Sequence, residues 1–167
     1  MKISKQIEWD MGHRVTNHKS KCRFLHGHRY KAEISLTGQL VDVKGSSDEG
    51  MVIDFGDVKI IATKYVHDIL DHGFMVWDKD KTLVSFFKKN KELKHVFVPF
   101  VPTAENIAGW VFLQLDKRIK DKYKTNLKLY SVKIWETPTS SATFNLCSST
   151  ESFVYPSGII RIFLGSR

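Results

Sequence analysis

Two histidines one residue apart, His26 and His28, sit in the stretch CRFLHGHRY (22–30). In an extended strand, side chains return to the same face every second residue, so both imidazoles point the same way, and Gly27 between them lets another backbone come close. The same parity runs on through Tyr30, Ala32, Ile34 and Leu36, while Arg29, Lys31, Glu33 and Ser35 take the other face. Upstream, Ile3, Ile7, Trp9, Met11 and His13 share a parity opposite Ser4, Gln6, Glu8 and Asp10, with Lys5 interrupting the apolar side. His13 thus ends one strand on its apolar face where His26 and His28 begin another. If the two strands are neighbours joined by residues 14–25, three imidazoles converge. Neutral imidazoles bind zinc tetrahedrally, and three protein ligands leave a fourth position for water or substrate. The plainer alternative is a set of hydrogen-bonded core histidines.

Cys22 admits three readings: a fourth ligand closing a structural site, a base or nucleophile beside an open one, or a small buried hydrophobe. Lys19, Lys21 and Arg23 surround it in sequence and favour thiolate if they also approach in space. Cys147 has no such neighbours and takes the plain role. Asp71-His72 is an adjacent acid and imidazole, the composition of a proton relay or of an ordinary surface pair. In 127–137, Tyr130, Val132 and Ile134 share a face that continues to Glu136. A carboxylate extending an apolar face is costly without a partner or ligand.

The elements that must position these groups follow from periodicity. Strands are expected over 3–13 and from 26 to about 43, with KGSSDEG as a turn and GMVIDF (50–55) as a third strand. Residues 57–70 carry apolar side chains at three- and four-residue spacing, a helix pattern. TLVSFFKKN (82–90) reads as a short helix, and HVFVPFVP (95–102) as an extended segment, since Pro99 and Pro102 forbid a helix interior. Thr103 is a good N-cap and Glu105 complements the helix dipole at the start of a helix reaching about Lys122, with Ile107, Ala108, Val111, Phe112, Leu115 and Ile119 as its stripe. A strand over 127–137 follows, then a tail whose runs SFVY and GIIRIFL flank Pro156-Ser157-Gly158 as a hairpin would. The sum is α+β with a mostly antiparallel sheet.

The chain of 167 residues is expected to be one domain, 1–167, with ordinary hydrophobic (42%) and charged (26%) fractions. No apolar run approaches the ~20 residues that span a bilayer, and MKISKQIEWD lacks the apolar centre of a signal peptide, so a cytoplasmic location is expected. Two cysteines make a poor disulfide framework, and reduced thiols fit better. A net charge of +8 favours anionic partners, whether nucleic acid, a membrane surface or a phosphorylated small molecule, although many of the lysines read as solvated helix faces.

GHRV (12–15), CRFLHGHRY, GMVIDFGDVK (50–59), LDHGFM (70–75), PTAENIAGW (102–110) and VKIWETPTSSA (132–142) occur in an order that resembles the 6-pyruvoyltetrahydropterin synthase family, over about residues 3–142. Three residues separate Cys22 from His26, which resembles the queuosine branch that forms 6-carboxy-5,6,7,8-tetrahydropterin, rather than the five-residue gap of the biopterin branch. The resemblance implies a tunnelling fold: an antiparallel sheet with two helices on one face, joined to those of other subunits as a barrel. Trimers would stack as a hexamer with active sites between subunits.

It further implies that His13, His26 and His28 hold Zn2+, whose open position takes the side-chain hydroxyls of 7,8-dihydroneopterin triphosphate. Cys22 would accept a proton, with Asp71 and His72 relaying protons as triphosphate leaves and acetaldehyde is released. Glu136 would serve as relay or pterin anchor, with Thr103 and Glu105 in the pterin pocket. A carboxylate can accept two hydrogen bonds from the 2-amino group and a ring N–H, which gives Glu136 a reason to sit where it does. The alternatives are pyruvoyl-forming activity on the same substrate, a basic zinc-binding module for nucleic acid, in which Cys22 would close the site, and an inactive scaffold. Two features depart from the family pattern: Trp9 and Met11 replace the more usual Phe and small residues before His13, and 143–167 extends past the family core as a strand-rich segment.

Overall fold

The structure, a computed structural model, describes residues 1–123 and 127–145. β1 (Lys2–His13) and β2 (His26–Gly38) form a long antiparallel pair in continuous register, from Lys2 opposite Thr37 to His13 opposite His26. The alternation in the sequence is the cause: Ile7, Trp9, Met11 and His13 are buried on one face while Lys2, Ser4, Gln6 and Glu8 are exposed. Because the side-chain period is two, a slip of one residue would turn this whole set to the other face, so burial fixes the register.

Beyond β2 the chain enters α1 (Phe55–Ala62), whose N-cap Asp54 accepts from the Gly56 amide at 2.6 Å. A π turn (Thr63–His67) and α2 (Asp68–Leu70) continue the same helical run, matching the expected helix over 57–70. Then come β3 (Gly73–Trp77), α3 (Lys81–Lys89), β4 (His95–Val98), α4 (Ala104–Tyr123), β5 (Leu127–Thr137) and β6 (Ser140–Phe144). The single sheet has the order β4-β3-β1-β2-β5-β6. The main core lies between one sheet face and helices α1 and α4, with Tyr30, Ile34, Leu36, Ile107 and Phe112 fully enclosed. α3 lies apart from this core: Leu83 and Phe87 bury against Val76 and Phe74 of β3 in a smaller cluster.

The fold is α+β as expected, with corrections in detail. The sheet is mixed, because β3 pairs parallel with β1 and with β4. Parallel neighbours need a helical crossover, and the α1–α2 run and α3 supply the two connections. GMVIDF is not a strand: the Asp54 side chain starts α1 within it, and Gly50 (φ 78°) turns the chain as its amide and that of Val41 bond across the 41–51 loop. β2 ends at Gly38 rather than near Val43, because the chain then enters a loop in which Val41 bonds to Met51 and Gly50 instead of to a neighbouring strand. The expected SFVY–GIIRIFL hairpin and Cys147 lie outside the described residues.

Asp80 caps α3, accepting from the Leu83 amide at 3.2 Å, and also receives Arg14 Nε and Nη2 at 2.6 Å each and the Thr16 hydroxyl at 2.8 Å. Burial by itself would raise this carboxyl's pKa, but the bonds from Arg14, Thr16 and Leu83 outweigh it and hold the group below its ordinary 3.8. The stabilisation is therefore complete above about pH 4 and disappears as pH falls through the lower folded value. Urea unfolding of the wild type from pH 6 down to pH 2 should show this loss, and Asp80→Asn should lack that component.

A Cβ on Gly12 would overlap the ring of Phe74 across the β1–β3 pairing. Gly12→Ala is expected to cost about 1–3 kcal/mol in chemical denaturation, the range for overfilling a packed site. Restoration of stability by the added change Phe74→Leu would confirm the cause.

Candidate active site

His13 and His26 face each other across the β1–β2 pair, and His28 lies opposite Met11, two positions along. The ring centroids are 4.5 Å apart for His13–His26, 5.3 Å for His13–His28 and 5.1 Å for His26–His28. One nitrogen from each ring can be chosen so that all three lie within 4.8 Å of one another, a grouping able to hold a metal ion. Cys22 is not a member of that group, which consists of three histidines.

The chain also orients the rings. His13 Nδ1 lies 2.7 Å from the Pro102 carbonyl oxygen, and His26 Nδ1 lies 2.8 Å from the Phe24 carbonyl. A carbonyl can only accept, so Nδ1 carries a proton in both, which in a neutral ring leaves the lone pair on Nε2. His13 is 1% exposed, yet its Nε2 has no hydrogen-bond partner. Burial, the leading cause, lowers the pKa of both His13 and His28 and favours the neutral, ligating form. A buried imidazole nitrogen with a free lone pair, aimed at two further imidazoles, fits a divalent metal of zinc's ligand preference.

Glu136 closes one side of the cluster, with Oε1 3.5 Å from His13 Nε2, and it receives the Tyr30 hydroxyl at 3.4 Å. Its carboxylate remains 27% exposed, open to a ligand from outside. Tyr30 is fully buried, with its ring edge-on to His13 and His28; burial first, then Glu136 and Cys22, push its phenol pKa upward. Cys22 therefore lies within electrostatic reach of the Tyr30 hydroxyl. It sits half-buried in a 3₁₀ turn (Lys21–Arg23), with its carbonyl accepting from the Val15 amide at 2.8 Å.

Asp71 and His72 immediately precede β3 and bond to the backbone of Asp10 on β1. Asp71 Oδ1 accepts from the Asp10 amide at 3.0 Å, and Oδ2 lies 2.7 Å from His72 Nδ1. The Asp10 amide and His72 hold the carboxyl below its ordinary value, so it is ionised at neutral pH. His72 adopts φ 56°, an uncommon conformation for a residue with a Cβ. Its amide donates to the Asp10 carbonyl at 2.8 Å, and Lys94 Nζ donates to the Asp71 carbonyl. The His72 ring is 80% exposed, at a depression of about 440 Å³ that it shares with Asp10, Met11, Gly12, Gly27, His28 and Arg29. Asp10 and Arg29 have the parity opposite to the metal-face histidines, and their side chains are electrostatically coupled to the dyad.

Thr103 caps α4, with its hydroxyl 3.4 Å from the Asn106 amide, and it directly follows the Pro102 carbonyl that orients His13. Glu105 is exposed in the first turn of that helix. Two contributors were not singled out by the sequence: Tyr30, whose parity with His26 and His28 was a usable signal, and the Pro102 carbonyl, which leaves no signal because any residue could supply it.

The comparisons with known proteins bear on this arrangement. A family model described as 6-pyruvoyl tetrahydropterin synthase matches residues 2–147. The 6-carboxy-5,6,7,8-tetrahydropterin synthase of Haemophilus influenzae is 37% identical over 142 residues, covering 83% of this chain and 94% of its own. The enzyme of the same name from Rickettsia bellii is 35% identical, covering 83% and 95%. Among solved structures, an uncharacterized Wolinella succinogenes protein superposes with a TM-score of 0.68 at 28% identity, covering 87% of this chain and 97% of that one. Caenorhabditis elegans 6-pyruvoyl tetrahydropterin synthase gives 0.62 at 26% identity, covering 88% and 96%. With the family model spanning most of the sequence and relatives above 30% identity along nearly their whole length, the chain belongs to the 6-pyruvoyl tetrahydropterin synthase family.

Proposed function

We propose that this chain is a zinc-dependent lyase that converts 7,8-dihydroneopterin triphosphate and a water molecule to 6-carboxy-5,6,7,8-tetrahydropterin, acetaldehyde and triphosphate, within queuosine-type 7-deazaguanine synthesis. The observation that carries the proposal is the buried, unpartnered Nε2 of His13, aimed at His26 and His28 with the Glu136 carboxylate 3.5 Å away. Support for the carboxy branch comes from the three-residue gap between Cys22 and His26 and from the names of the Haemophilus and Rickettsia relatives.

His13, His26 and His28 would hold zinc, which as a Lewis acid makes the substrate's side-chain hydroxyls and the adjacent C–H more acidic. Glu136 accepts paired hydrogen bonds from the pterin 2-amino group and ring N–H, with Tyr30 fixing one carboxylate oxygen. Thr103 and Glu105, at the head of α4, border the pterin. Cys22 takes the proton from the side-chain carbon. Asp71 keeps the His72 ring oriented through Nδ1, leaving Nε2 to exchange protons with substrate. The coupling of the dyad to Asp10 and Arg29, whose parity is opposite to that of the histidines, supports a role for it in the site of a neighbouring subunit in a homo-oligomer, of which the hexamer built from two trimers is the expected form.

The zinc-loaded protein should turn over 7,8-dihydroneopterin triphosphate to a product with the mass of the carboxy compound, together with acetaldehyde; the mass of the pyruvoyl compound would redirect the assignment. Cys22→Ala should keep its zinc and lose activity by about 10²–10⁴-fold, the usual scale of a positioned proton acceptor. Zinc lost with Cys22 would instead mark a structural thiolate, and full activity without Cys22 would sink the mechanism. Mixing Cys22→Ala with His72→Ala subunits should restore part of the activity that each lacks alone, and no restoration would place the dyad within its own chain's site.

A further inference from the structure

We infer that Asp80 is a positioning residue for Cys22: through Arg14 and Thr16 it clamps the exit of β1 and thereby the backbone bond that holds the cysteine in place. This goes beyond the proposed function but rests on it for the role of the thiol. As a helix cap, Asp80 needs only its bond to the Leu83 amide, which Asn or Ser would also make. It collects three more, two from Arg14 and one from Thr16, and all three come from the first residues after His13. Asp80 is 3% exposed, so these charge-assisted bonds are shielded from water.

The two clamped residues flank Val15. The Val15 amide donates to the Cys22 carbonyl at 2.8 Å, and the Val15 carbonyl accepts from the His18 amide at 2.9 Å. The loop is thus pinched where Cys22 crosses back over the end of β1. On its far side the 3₁₀ turn closes with the Phe24 amide bonded to Lys21, and the Phe24 carbonyl orients His26. Without the clamp, Val15 would remain tied to His13 only through the backbone, and the pinch would open. Residues 14 and 80 are far apart in sequence and neither touches the imidazoles, so the contribution of Asp80 is geometric.

The test uses zinc-loaded protein and three variants, Asp80→Asn, Arg14→Gln and Arg14→Lys. Amide hydrogen exchange should show Val15 and His18 losing protection by about tenfold or more in Asp80→Asn and Arg14→Gln, while Leu83 and Val84 of α3 stay protected because Asn still caps. Iodoacetamide should alkylate Cys22 several-fold faster in both. With the pterin substrate, kcat should fall by about ten- to a hundredfold at nearly unchanged KM, the scale for a misplacement of about 1 Å. Arg14→Lys, which keeps a charged donor, should recover part of each effect. Unchanged loop protection, loss of α3 protection alone, or wild-type kcat in a loosened loop would each overturn the inference. If the wild type fails to turn over the substrate, the functional reading falls separately, and exchange with alkylation decides the clamp.

Discussion

The imidazole cluster follows from the register of β1 against β2. Placing His13 opposite His26 requires that twelve rungs of an antiparallel ladder agree, and they agree because one face of both strands is apolar and must be buried. The strength of this arrangement lies in its sharing: the burial that stabilises Trp9, Met11 and Tyr30 is the same burial that aligns the imidazoles. The ligands stand at the end of the ladder, where the apolar face gives way to solvent. The core thereby sets their positions without sealing them off.

That dependence explains what could be read from the chain and what could not. The imidazole cluster was legible because strand parity is a local property, and Glu136 was legible because it violates the apolar face of its own strand. β3 escaped because it has no alternation: Met75 packs into the main core while Val76 packs under α3, so both faces are covered and the segment reads as a plain apolar run. GMVIDF misled for the converse reason, since its apolar residues serve a loop entering a helix. The Arg14–Asp80 contact spans 66 positions and no periodicity announces it. The placement of the Asp71–His72 dyad against Asp10 depends on which strand β3 joins, a fact of topology alone.

The chemistry falls into two groups of residues. One gathers three imidazoles and a partly exposed carboxylate; the other carries an ionised acid, an exposed imidazole and the Arg29–Asp10 ion pair. His72 is kept in its uncommon backbone conformation by bonds from its neighbours, and such conformations persist where the surroundings over-determine them. Among the described residues no helix is long and apolar enough to cross a membrane.

Met11 has two partners: His28 on β2 and Gly73, the residue after the dyad, on β3. A single row of the sheet therefore runs from a metal-face ligand to the foot of the dyad, and it acts as a ruler. With neighbouring strands about 4.8 Å apart, the two ends of that row stand roughly 10 Å from each other. That interval is graduated in backbone hydrogen bonds and not in side chains, so substitution on either face changes what the reactive groups are without changing how far apart they stand.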